Sequence, residues 1–159
     1  MTGKRVGYIL VQWLPAALGV CGIALESTDM FSSQHTGNFL YALFSAAFGY
    51  IDPARFEIIH HLIRKAGHFV GYGTLSFLFF RALRNTVTTS PPCLWFSSVA
   101  LTVLIASLDE WHQTYLPSRT GSLHDVLLDT LGAILVQTVV LITMIAHRRQ
   151  AAKASGPQG

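Results

Sequence analysis

At 159 residues the chain is one domain long, and its 51% hydrophobic against 12% charged content departs from a water-soluble globule toward a membrane protein. The net charge of +3, from 11 Lys and Arg against 8 Asp and Glu, is segregated along the sequence. Lys4, Arg5, Arg81, Arg84, Arg148, Arg149 and Lys153 take one set of segment ends. All the carboxylates (Glu26, Asp29, Asp52, Glu57, Asp109, Glu110, Asp125 and Asp129) take the other, with Arg55, Arg64, Lys65 and Arg119. No basic face of the kind that tracks phosphates along a strand is left, which excludes nucleic acid as a partner. Because cytoplasmic loops keep the Lys/Arg excess, both termini are expected in the cytoplasm and the acidic ends outside.

In chain order, residues 6–25 form an apolar stretch long enough to span. Cys21 falls in its outward half and Cys93 near the inner end of the third span, too far apart for a disulfide; Cys21 is expected as a buried helical thiol. Residues 26–38, with Ser, Thr, Asp and Gly, read as loop, and 39–50 as an apolar, aromatic segment dipping into the interface. Asp52-Pro53 then supplies a helix N-cap followed by the residue best suited to a first turn. From 53 to 64, Phe56, Ile59, Leu62 and Ile63 alternate with Arg55, Glu57, His60, His61 and Arg64 at helical spacing. The pattern suits an amphipathic helix on the outer surface, with His60-His61 a solvated pair, ahead of a second span over 66–83.

Ser90-Pro91 starts the third span, whose uninterrupted apolar run (94–108) is short of the ~20 residues a solitary helix needs, so its polar end requires neighbours. Ser122 and Asp125 have capping-box spacing before a fourth span over 126–146. Residues 147–159 read as a disordered basic cytoplasmic tail, which leaves 1–146 as the membrane domain. The expected fold is all-α: a bundle of four transmembrane helices with the amphipathic interfacial helix before the second. Trp13, Trp95 and Trp111 are expected at lipid boundaries.

Helical rise brings the polar residues to one level. Counting from the basic anchors at ~1.5 Å per residue, His68 lies about 20 Å and Lys65 about 24 Å above Arg81; Asp109 is about 26 Å above Pro92, and Asp129 and Asp125 about 28 and 34 Å above Arg148. Against a ~30 Å hydrocarbon core that level is the outer rim. His68 and Tyr72 lie one turn apart, as do Asp109 and Gln113, with His112 between, and Asp125 and Asp129. Gly67, Gly71 and Gly73 form a bare strip for close helix approach. Ionisable groups at such depth are costly unless paired and are functional candidates by default. A purely structural clamp remains the alternative, although acids, imidazoles, a phenol and a guanidinium exceed what a clamp requires.

Lys65-Ala66-Gly67-His68-Phe69 with Tyr72, Asp109-Glu110 with His112-Gln113, then Pro117, Arg119, Gly121-Ser122, Asp125, Asp129 and Gly132-Ala133 resemble the VanZ-like family of small integral membrane proteins, over residues 64–133. Ser118, Asp129 and Val136 stand where that family often has Gly, Asn and Gly. The resemblance implies a multipass protein of the bacterial inner membrane and cell envelope. The family is named for a member that lowers susceptibility to teicoplanin, an antibiotic acting on cell-wall precursors; no biochemical activity follows from the name.

Three functions compete. In the first, Lys65, His68, Tyr72, Asp109, Glu110, Gln113, Arg119, Asp125 and Asp129 form an outward site for a lipid head group, a lipid-linked cell-wall precursor or an envelope protein. Arg119 would grip phosphate or carboxylate in a forked geometry and Lys65 as a point charge. In the second, a hydrolase or transferase acts on a lipid-linked substrate, with His68 or His112 as base and Asp109 or Glu110 as orienter or acid. The third, an ion path, lacks ionisable residues near the midplane of the later spans. His68, His112, Asp109 and Asp125 could chemically hold a metal, but no dense ligand motif such as His-Glu-x-x-His appears, so neither metal nor cofactor is expected.

Overall fold

The computed structural model describes residues 2–28, 33–117 and 121–154. Their regular structure is entirely helical: α1 (Thr2–Glu26), α2 (Ser33–Phe48), α3 (Pro53–Thr86), α4 (Pro91–Gln113) and α5 (Leu123–Ala154). Among them α1, α4 and α5 are long and apolar enough to cross a membrane. Their outer faces fit that solvent. Val6, Leu10, Leu14 and Leu18 on α1, and Leu127, Leu131, Leu135 and Val139 on α5, recur every four residues and are all exposed. A water-soluble bundle turns such stripes inward; facing outward, they need hydrocarbon to cover them.

α3 packs against each of the other helices and forms the centre of the bundle. Tyr72, Leu75 and Phe79 on α3 close around Ala16 of α1 and Ala106 of α4, flanked by Trp13, Val20, Leu101, Ile105 and Val126. The Asn85 amide donates to Gln12 Oε1 (2.8 Å), and the Trp13 indole N–H to Thr86 Oγ1 (3.3 Å). The beginning of α1 therefore lies beside the end of α3, and the two run antiparallel. Trp13 is thus held partly inside the bundle against Phe79 (ring centroids 6.3 Å), whereas Trp111 is exposed and sits edge-on to Tyr115.

A close backbone approach joins α3 to α5. A methyl group added at Gly132 would run into the carbonyl oxygen of Phe69, and one at Gly73 would stand 3.3 Å from the Gly132 carbonyl oxygen. One turn along each helix, the fully buried Gln137 amide donates to Ser76 at both its carbonyl (2.7 Å) and hydroxyl (3.0 Å). Where hydrocarbon replaces water, such a polar bridge has no competitor, and it fixes the register of two helices that otherwise pack by shape. Gly67 and Gly71, expected to admit a helix, meet nothing there: positions for their Cβ atoms are open.

Several boundaries differ from expectation. α3 runs without a break from Pro53 to Thr86, so the expected interfacial helix and second span are one helix of 34 residues. No proline or cap intervenes, and packing overrides the ~1 kcal/mol that each interior glycine costs a helix. A helix also begins at Ser33, inside the expected loop, because α2 docks on the first turns of α3. Tyr41 and Phe44 pack against Phe56, Tyr41 donates to the Ile51 carbonyl (3.0 Å), and Gly37 lies against His60. His60 is consequently buried, stacked on Phe56 with Thr36 Oγ1 at 3.4 Å from its Nε2; only His61 is exposed as expected of the pair.

At the other end, α5 continues through Ala154 into the expected tail, since Arg148, Arg149, Gln150, Ala151, Ala152 and Lys153 are all strong helix formers. Asp52 and Ser90 sit at the N-caps of α3 and α4, but neither side chain makes a cap bond; proline at the first turn carries both starts. Cys21 and Cys93 are free thiols, and Cys21 is exposed on α1, not buried.

Candidate functional site

Where α1 and α4 end, α5 begins and α3 approaches its middle, polar side chains from these four helices assemble. A Cβ at Gly121 would strike the carbonyl oxygen of Glu110, so only glycine lets the chain just ahead of α5 lie this close to α4. The next residue uses that proximity: Ser122 N–H donates to Glu110 Oε2 (2.7 Å). The Ser122 hydroxyl accepts from His124 N–H (3.2 Å) as a capping residue should. The reciprocal arm of the expected capping box comes from a different helix, Glu110 standing in for Asp125.

Asp125 is instead engaged with Lys65, its Oδ1 2.9 Å from Nζ. Both side chains are partly exposed, 39% and 29%, so the pair is screened. Lys65→Ala is expected to lower thermal stability in detergent by no more than ~1 kcal/mol; a larger loss would mean that Lys65 supports the bundle itself. Two turns on from Lys65, Tyr72 donates its hydroxyl to Asp109 Oδ2 (2.9 Å), and the Gln113 amide donates to the same oxygen (3.1 Å). Tyr72 and Gln113 are buried, 2% and 4% exposed, so Asp109 is held from the protein side.

Between these pairs sit His68, Glu110 and Asp129. The His68 ring lies against Tyr72 (centroids 6.0 Å) and presents Nδ1 to Asp129 Oδ2 at 3.5 Å, without a hydrogen bond. Asp129 is completely buried, and neither of its carboxylate oxygens has a donor among the described residues. One ligating atom from each of His68, Glu110 and Asp129 lies within 4.8 Å of the others.

Two hollows adjoin this end. A crevice of about 20 Å³, room for a single water, is lined by Glu26, Gly67, His68, Gly71, Tyr72 and Asp109 among others. A wider groove of about 530 Å³ opens between α1, α2 and α3, walled by Gly22, Leu25, Leu40 and Ile63 and bordered by Glu26, His60 and Arg64. Glu26 and Gly67 belong to both, so the groove leads to the polar cluster.

The structure thus brings together Lys65, His68, Tyr72, Asp109, Glu110, Gln113, Asp125 and Asp129. It does not bring in His112, which is exposed while Glu110 and Gln113 on either side of it are buried. His124 is exposed as well. Arg119 and Asp29 lie outside the described residues. Sequence reasoning missed Glu26 and Ser27, which line the crevice. The signal was present, since Glu26 ends an apolar stretch that starts at Lys4 and Arg5 and so stands about 33 Å from that anchor, the height of the cluster.

A sequence profile of the VanZ/LLP1 family matches residues 13–145. No curated protein and no solved structure matches the chain.

Proposed function

This chain belongs to the VanZ/LLP1 family, and from that premise we propose that it binds the phosphate-bearing head group of a cell-envelope lipid or lipid-linked cell-wall precursor at the outer surface of the bacterial inner membrane. The observation that carries the reading is the continuity between the polar cluster and the apolar groove of about 530 Å³, which share Glu26 and Gly67. An amphiphile needs such a pair of neighbouring compartments, one for its chain and one for its head. In this reading α1, α4 and α5 are joined by the inner part of α3 as a fourth crossing. Four crossings return both termini to the cytoplasm, where Lys4, Arg5, Arg148, Arg149 and Lys153 belong by charge. The antiparallel contact of Gln12 with Asn85 supports that count.

Lys65 Nζ uses one of its donors on Asp125 and keeps others for phosphate oxygens, and Arg119, which follows α4 in the sequence, would supply a forked contact. Asp125 then acts as the orienter of Lys65, while Asp109 and Glu110 receive their bonds from Tyr72 and Ser122. The family's association with teicoplanin fits the same reading, because a lipid-bearing glycopeptide works among the head groups this site would hold. A hydrolase or transferase remains the second reading, on the proximity of His68 to Glu110 and Asp129; His112, exposed as it is, drops out as its base.

The test is native mass spectrometry of lipids that co-purify with the protein. Wild type is expected to retain a phosphate-bearing lipid that both Lys65→Ala and Arg119→Ala release while remaining folded. Equal lipid occupancy in all three proteins would remove the proposal.

A further inference from the structure

We infer that His68, Glu110 and Asp129 form a binding site for one divalent transition-metal cation, which the sequence spacing gave no reason to expect. Each residue comes from a different helix, α3, α4 and α5, so no local ligand motif could announce the set. Asp129 makes the argument. It is 0% exposed, both of its oxygens lack a hydrogen-bond donor among the described residues, and the facing Nδ1 of His68 is also buried without a hydrogen-bond partner.

The neighbouring donors are committed elsewhere: Tyr72 and Gln113 to Asp109, Lys65 to Asp125, the Ser122 N–H to Glu110. A buried carboxylate that no donor hydrogen-bonds, with only an imidazole nitrogen facing it at 3.5 Å, is a costly arrangement, and membrane depth makes it worse. Protonating His68 would offset one of the two enclosed carboxylates and leave the other. A divalent cation would neutralise both and use the imidazole as a neutral ligand.

The ligand chemistry selects the metal. One imidazole with two carboxylates suits Zn²⁺, Mn²⁺ or Fe²⁺ better than Mg²⁺ or Ca²⁺, which prefer all-oxygen shells. The separation of ligand atoms, at most 4.8 Å, places each within ~2.8 Å of a common centre; bonds of ~2.0–2.2 Å then require an inward shift of under 1 Å, within reach of side-chain rotation. Three protein ligands leave a coordination position open, and His68 also lines the water-sized crevice. A head-group phosphate could take that position, which would explain why an anion is received by a cluster rich in carboxylates. This last link rests on the head-group reading; the cation itself does not.

The full chain, purified in detergent, stripped with EDTA and exposed to Zn²⁺ or Mn²⁺, is expected to retain about one equivalent by elemental analysis and to melt at a higher temperature than the stripped protein. His68→Ala and Asp129→Asn should lose both the metal and the melting shift, while His112→Ala keeps them. Should Asp129→Asn fail to fold, Glu110→Gln replaces it, since the amide oxygen can still accept from Ser122 N–H. Wild type that holds no metal, or that holds as much as His68→Ala and Glu110→Gln, overturns the site. Vesicles of phosphatidylglycerol in phosphatidylcholine separate the two proposals. Metal retained by a protein whose vesicle binding ignores EDTA supports the cation and removes its link to the head group. Arg119-dependent vesicle binding by a metal-free protein removes the cation alone.

Discussion

Gly132→Ala is expected to destabilise the folded chain by about 1–3 kcal/mol, the range for forcing extra atoms into a packed contact. The new methyl group would meet the carbonyl oxygen of Phe69, a backbone atom that cannot rotate away, so α3 and α5 must separate. Separation would also stretch the Gln137–Ser76 bridge on the same seam. Alanine's better helix propensity returns at most ~1 kcal/mol, which is too little to reverse the sign. Gly71→Ala is the matched control. Its Cβ meets nothing within 4 Å, so only the propensity gain acts, and that variant should be as stable as wild type or more so. Thermal unfolding of both in detergent, followed by circular dichroism, checks the pair. If Gly132→Ala melts at or above the wild-type temperature, the α3–α5 contact described here is wrong.

The contrast between those glycines shows where sequence reasoning succeeds and where it stops. Height along a helix is legible, because rise per residue is fixed and basic residues mark one set of helix ends; it placed Lys65, His68, Asp109, Asp125 and Asp129 at one level, and Lys65–Asp125 and His68–Asp129 do approach one another. Azimuth is less legible. Spacing put Asp109, His112 and Gln113 on one side, yet His112 is exposed while Gln113 is buried. It also nominated Gly67 and Gly71 for helix contact, whereas Gly73 alone among the three meets α5. A bundle in hydrocarbon exposes leucine as readily as a core encloses it, so apolar periodicity does not say which face is inside. Polar residues do. Ser76, Asp129 and Gln137 are completely buried in this chain, and their azimuths together trace the α3–α5 seam.

Docking of α2 had no comparable signal. Its partners Tyr41, Phe44 and Phe56 are ordinary apolar aromatics, and the histidine it buries, His60, lies on a stretch whose charged alternation pointed to water. The polar cluster was therefore readable as a set of residues at one height, while the triangle of His68, Glu110 and Asp129 needed three helix rotations to be known at once. Glu110 illustrates the difficulty: adjacent to Asp109, it turns to a separate task, receiving the N–H of Ser122 at the cap of the next helix, while Asp109 faces Tyr72 and Gln113.

Tyr72→Phe is expected to cost about 1.5–3 kcal/mol, the worth of a buried hydrogen bond to a charged acceptor. Phenylalanine preserves the ring that packs against His68 and the core residues Leu75 and Ala106, so the loss isolates the hydroxyl. Gln113 still donates to Asp109 after the change, which keeps the carboxylate from being stranded and sets the lower end of that range. Asp109→Asn removes the charge at the acceptor and should weaken the same bond from the other side. A double-mutant cycle then expects the combined variant to lose about 1 kcal/mol or more less than the sum of the single losses. Strict additivity would show that Tyr72 and Asp109 do not depend on one another, and the inner wall of the crevice would have to be built differently. Because both residues line that crevice next to His68, the two variants should also share any defect in vesicle binding. Loss of stability without loss of binding in both would confine the Tyr72–Asp109 bond to holding α3 against α4.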